Sequence, residues 1–146
     1  MTAKSRTTSA LVPELAVFDW RGSLAFYCDL IGFSIRYARE DEGFAYLELG
    51  SAKLMIDQVD LGRDFHESER LRRPLGAGLN LQLSVPDVAA VHARVLAAGL
   101  PLVLPLEERW YRRAADEVGQ QQFVVADPDG YLVRPIQVVG TRPSRT

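Results

Sequence analysis

The chain has 146 residues, 47% of them hydrophobic, which suits one compact domain with a real core and excludes two full domains. Seventeen Lys and Arg against nineteen Asp and Glu give a formal net charge of −2. Without a clustered basic face, nucleic acid is excluded as the expected partner.

The first ten residues, MTAKSRTTSA, are polar and read as a frayed segment without the apolar stretch of a secretory signal. No run approaches membrane-spanning length, so the expected location is cytoplasmic, away from the membrane. Residues 11–18 form an apolar strand ending at Asp19, which can cap a helix carrying Trp20, Leu24, Tyr27, Cys28 and Ile31 at helical spacing. Gly32 is its natural stop. The lone Cys28 excludes an intrachain disulfide and reads as a packed thiol. Strands are expected at residues 33–39, 44–49 and 53–59, with turns at 40–43 and 50–51.

Residues 60–77 are polar and charged, and read as a long surface connection. The pattern then begins again. A strand at 79–85 leads to Asp87, which caps a helix carrying Val88, Val91, Val95 and Leu96, closed by Gly99 and Pro101. A short strand at 102–104 precedes a polar loop containing ERWYRRAADEVG. The stretch FVVADPDGYLVRPIQV then forms a hairpin, with Asp127, Pro128, Asp129 and Gly130 suited to a tight turn. The domain therefore spans 11–138 as two modules, about 11–59 and 79–138, linked by 60–78, with 139–146 as a tail. Strand, helix and about three strands occur twice. Curved sheets covered outside by helices leave a concave face for a ligand.

At LAVFDWRGSLAFYCDLIGF and FVVADPDGYLVRPIQ the chain resembles the vicinal oxygen chelate superfamily, which includes glyoxalases, extradiol dioxygenases, fosfomycin-modifying enzymes and bleomycin-resistance proteins. The segment EERWYRRAADEVGQQQFVVADPDGYLVR is most similar to the bleomycin-resistance proteins. The resemblance implies an α+β fold of two βαβββ modules forming a curved mixed sheet with helices outside. It also implies a homodimer that binds and sequesters a small molecule, a bleomycin-type glycopeptide antibiotic, without catalysis or cofactor.

Enzymes of that superfamily carry His, Glu or Gln ligands on four strands, because a divalent metal needs several converging lone-pair donors. The resemblance places these positions at Val12, near Asp57 (Ile56 or Gln58 in a slipped register), Asn80 and Arg134. Val12 offers no donor, and Arg134 brings a permanent positive charge where a cation would sit. No metal is therefore expected. His66, in the connection, and His92, on the second helix, lack spaced partners and read as surface or packing residues.

Strand alternation predicts that Arg134 shares its face with Leu132 and Ile136, and that the same inward parity collects Glu14, Tyr46, Asp57, Asn80 and Gln82. Arg134 either contacts the ligand or pairs with Glu14 or Asp57 as an internal ion pair holding the modules together. Trp110 and Tyr111, beside Glu107 and Glu108, either stack on a planar ligand at the rim or pack against protein. Phe65 and His66 either form the opposite rim or pin the connection to the surface. The expected ligand-binding residues are thus Tyr46, Asp57, Phe65, Asn80, Trp110 and Arg134. Two other functions fit the same sequence. One is a metal-dependent glyoxalase-like or dioxygenase-like enzyme with atypical ligands such as Asp57, Asn80 and Gln82; the other is a dimeric stress protein without a ligand.

Overall fold

The computed structural model describes residues 9–63 and 65–144. Most of the expected frayed segment at 1–10, and residues 145–146 of the tail, lie outside the described residues.

The first module contains β1 (Glu14–Val17), α1 (Trp20–Leu24), β2 (Ser34–Arg39), β3 (Phe44–Leu49) and β4 (Ala52–Gln58). The second contains β5 (Asn80–Ser84), α2 (Val88–Ala97), β6 (Leu102–Arg113), β7 (Asp116–Ala126) and β8 (Leu132–Pro143). Each module folds into a four-stranded mixed sheet, ordered β1-β4-β3-β2 and β5-β8-β7-β6. In both, the first strand runs parallel to the last, and the remaining pairs are antiparallel. The repeat read from the sequence is therefore a repeat of topology.

Both helices start at the predicted caps. The Asp19 carboxylate accepts from Arg21 N at 3.2 Å, and that of Asp87 from Ala90 N at 3.1 Å. These bonds satisfy amides that have no intrahelical partner. The first helix continues past α1 as a π-helical segment, Ala25–Ile31, and ends at Gly32, whose φ of 112° suits a residue without a Cβ.

Alternation divides each strand between an apolar face and a polar one. Leu15, Val17, Leu47, Leu54 and Ile56 from the first sheet join Leu83, Val85, Phe123, Val125 and Val133 from the second in one buried cluster with residues of both helices. Burying a side chain of this size contributes about 1.5–3 kcal/mol. The modules also interlock through polar contacts. Tyr27 Oη donates to Asp127 Oδ2 at 2.6 Å, Tyr131 Oη to the Ala16 carbonyl at 2.9 Å, and Arg94 Nε to the Leu30 carbonyl at 2.9 Å.

Two segments differ from the sequence reading. The expected polar loop after residue 104 is a strand pair: β6 continues to Arg113 and turns at Ala114–Ala115 into β7. β8 likewise runs beyond Val138 to Pro143, through most of the expected tail. The three long strands extend as an arm, in which β6 and the end of β8 are mostly exposed or half-exposed, so those stretches lack the apolar alternation that announces a half-buried strand.

Candidate functional site

The polar face of the first sheet combines carboxylates with aromatic rings. Register places Glu14 beside Met55, Met55 beside Tyr46, and Asp57 beside Phe44. Tyr46 is half-buried, stacks on Tyr37 with ring centroids 5.3 Å apart, and lies under the Arg36 guanidinium. A cavity of about 240 Å³ lies over this face, lined by Glu14, Ala16, Asp57, Phe65 and His66. Phe65, on the connection, is 73% exposed and has the Arg63 guanidinium 5.2 Å from its ring centroid. The structure thus brings Asp57 and Phe65 together, with Tyr46 on the same sheet face.

The polar face of the second sheet is built on a hydrogen-bonded glutamine network. Arg134, on β8, pairs in register with Gln82 on β5, while Asn80 pairs with Leu132. Arg134 Nη1 donates to Gln122 Oε1 at 3.3 Å, and Gln120 Nε2 donates to the same oxygen at 2.8 Å. Gln122 Nε2 in turn donates to Glu107 Oε1 at 2.9 Å and to Tyr111 Oη at 2.6 Å. Gln122 is 1% exposed and Gln120 5%. Amides so deeply buried need partners, and the network supplies them. Arg134 Nε is also buried, yet has no hydrogen-bond partner among the described residues.

The internal ion pair with Glu14 or Asp57, one of the two roles read for Arg134, does not form among the described residues. Arg134 stands on the second sheet and the two carboxylates on the first. Each sheet gives its apolar face to the common core, so the polar faces remain separate within one chain.

Trp110 lies on neither of these polar faces. Pairing places it opposite Gly119, on the face that carries Glu108 and Arg112, whereas Glu107 and Tyr111 point to the glutamine side. Its ring covers Gly119, Arg142 lies 4.1 Å from the ring centroid, and its Nε1 donates to Glu108 at 3.2 Å. The ring thus packs against its own chain and stays half-buried. Asn80 is exposed at the start of β5. His92 packs edge-on against Phe123, with centroids 5.2 Å apart.

Sequence reasoning named Arg134 and Gln82 but missed Gln120 and Gln122. The available signal was the run Gln120–Gln121–Gln122 entering the apolar stretch FVVA: uncharged amides there demand an internal partner. A second buried polar group sits where the modules meet. Burial lifts the Asp127 carboxyl above the usual carboxylate range, against the hydrogen bonds from Tyr27 Oη and the Asp129 and Tyr131 amides that hold it down. Burial, followed by the neighbouring Asp127 charge, raises the Tyr27 phenol well above its ordinary value.

The donor set does not fit the divalent metal that the resemblance implied. Val12 has no donor and Arg134 is a cation. Among the described residues there is no group of three or more His, Cys, Asp or Glu placed to hold a metal.

Two βαβββ modules, each with one helix over a mixed sheet, define an α+β fold that carries a polar face on each sheet. The chain belongs to the Glyoxalase/Bleomycin resistance protein/Dioxygenase superfamily, whose model matches residues 9–134. Among solved structures it is similar to the virulence protein STM3117 from Salmonella typhimurium, at 24% identity over 92% of this chain and 100% of that one, with a TM-score of 0.64. It is likewise similar to TioX from Micromonospora sp. ML1, at 23% identity over 94% and 100%, with a TM-score of 0.64. A superfamily member from Vibrio splendidus 12B01 shares 36% identity over 86% and 95%, at a TM-score of 0.40. No curated protein matches the chain. No helix among the described residues is long and apolar enough to cross a membrane.

Proposed function

We propose that the protein binds a small organic molecule of the bleomycin type, an amide-rich glycopeptide, and holds it as a homodimer without converting it. The observation that carries this reading is the Arg134–Gln122–Glu107 network. It occupies a sheet face with hydrogen-bonding groups suited to recognition, and puts a guanidinium where the resemblance implied a metal ligand. Arginine is always charged, and neither it nor the buried glutamines supply a general base or a nucleophile.

Each polar face then contributes different chemistry. The first sheet offers Tyr37 and Tyr46 for planar rings and Glu14 and Asp57 for cationic groups. The second offers amides and a cation. A homodimer brings the complementary faces of two copies together, consistent with the exposed Ile35, Tyr37, Val138 and Val139 on strands of both sheets. Asp57, Phe65 and Tyr46 contact ligand from the first face, and Asn80 and Arg134 from the second. Trp110 rests on the arm and, only half-buried, keeps part of its ring for the ligand.

The test is calorimetric titration of metal-free protein with metal-free bleomycin. Saturable binding near one drug per subunit, weakened at least tenfold by Arg134→Gln, is expected. Heats no larger than dilution would refute the bleomycin-type ligand.

A further inference from the structure

We infer that the glutamine face of the second sheet is a recognition site for a neutral carboxamide, taken between Arg134 and Gln120. This inference rests on the small-molecule reading and names the group by which the ligand is held.

Gln122 Oε1 is the centre of the site. Arg134 Nη1 and Gln120 Nε2 both donate to it, so the guanidinium and the Gln120 amide are neighbours around one oxygen. Each keeps an unused function. Arg134 Nε is a buried donor without a partner among the described residues, and its single bond to Gln122 is long at 3.3 Å. A small turn of the guanidinium would present it. The Gln120 side chain uses only its nitrogen, towards Gln122 and, at 3.5 Å, Gln82; its oxygen accepts no hydrogen bond among the described residues. One donor beside one acceptor is the complement of a carboxamide, whose carbonyl accepts from Arg134 while its N–H donates to Gln120 Oε1. Gln82, the register neighbour of Arg134, adds a further amide.

Hydrogen bonding, rather than charge, separates an amide from an acid. Gln122 bridges Arg134 to Glu107, and Arg109, the register partner of Gln120, lies on the same face, so the face holds charges of both signs. The selective group is Gln120 Oε1, an acceptor on a side chain only 5% exposed. A carboxylate would offer that oxygen no donor and set a negative charge against it, which is costly where water is largely excluded.

The experiment uses three probes that share a ring: benzamide, benzoate and methyl benzoate. Each is titrated into the full-length protein while the side-chain N–H signals of arginine and glutamine are followed by ¹⁵N-edited NMR. Saturable shifts of the Arg134 Nε–H and Gln120 signals with benzamide are expected, with benzoate and the ester at least tenfold weaker. Gln120→Met, which keeps side-chain volume, should abolish the preference for benzamide, and the exposed Gln82→Ala should reduce it several-fold with an unchanged backbone spectrum. Tighter binding of benzoate, equal binding of all three, or no shift with any probe would overturn the carboxamide site. Bleomycin binding that persists unchanged in Gln120→Met would overturn this inference alone and leave the small-molecule reading standing.

Discussion

Arg134 stands at the centre of the proposed site, and its surroundings set what its removal should do. An arginine paired with a buried carboxylate would leave an uncompensated charge when truncated, costing about 3–5 kcal/mol. In the structure its acceptor is Gln122 Oε1, which Gln120 also serves. Arg134→Ala should therefore cost less than about 1 kcal/mol in a urea melt, while ligand binding is lost. Tyr27 behaves in the opposite way. Its hydroxyl donates to buried Asp127, so Tyr27→Phe should cost about 2 kcal/mol. The pH dependence follows from the raised phenol value: above about pH 10 an unfolded tyrosine ionises while Tyr27 in the folded protein keeps its proton. Stability therefore falls as pH rises past that point, and Tyr27→Phe should flatten that part of the alkaline limb in a series of melts.

Among the elements, the long arm of β6, β7 and β8 separates what the sequence reveals from what it hides. The helices were legible because caps, apolar spacing and stop signals agree at Asp19, Gly32, Asp87 and Gly99. The hairpin at 127–130 was legible because its turn chemistry is local: Asp127 Oδ1 accepts from the Asp129 and Tyr131 amides. Strand parity was legible too, since Glu14, Tyr46 and Asp57 share one face and Gln82 and Arg134 another. The arm was not. Its pairing is set by partners along β7 rather than by burial, so ERWYRR carries no strand period. Nor could parity say that the two polar faces stay apart, because that depends on how two sheets share one core. Gly119 fixes the place of Trp110: a Cβ there would lie 2.5 Å from the indole ring. Gly119→Ala should cost about 1–3 kcal/mol through this overlap and red-shift tryptophan emission as the ring is displaced. Gly119→Ala with wild-type stability and emission would mean that the ring does not rest on the strand.

At the scale of the molecule, a shared core and the Tyr27–Asp127, Tyr131–Ala16 and Arg94–Leu30 bonds make the two modules one cooperative unit. Circular dichroism and tryptophan fluorescence should therefore report a single coincident unfolding transition, and sedimentation should report a dimer at micromolar concentration. The proposed role is to retain a small molecule and return it unaltered. Its most direct test is to incubate metal-free protein with an equimolar amount of metal-free bleomycin, separate the protein by gel filtration, denature it and weigh the released drug by mass spectrometry. Co-elution of drug with protein, recovery of the drug at its original mass, and loss of co-elution in Arg134→Gln are expected. Drug recovered with an altered mass, or drug that never travels with the protein, would contradict that role.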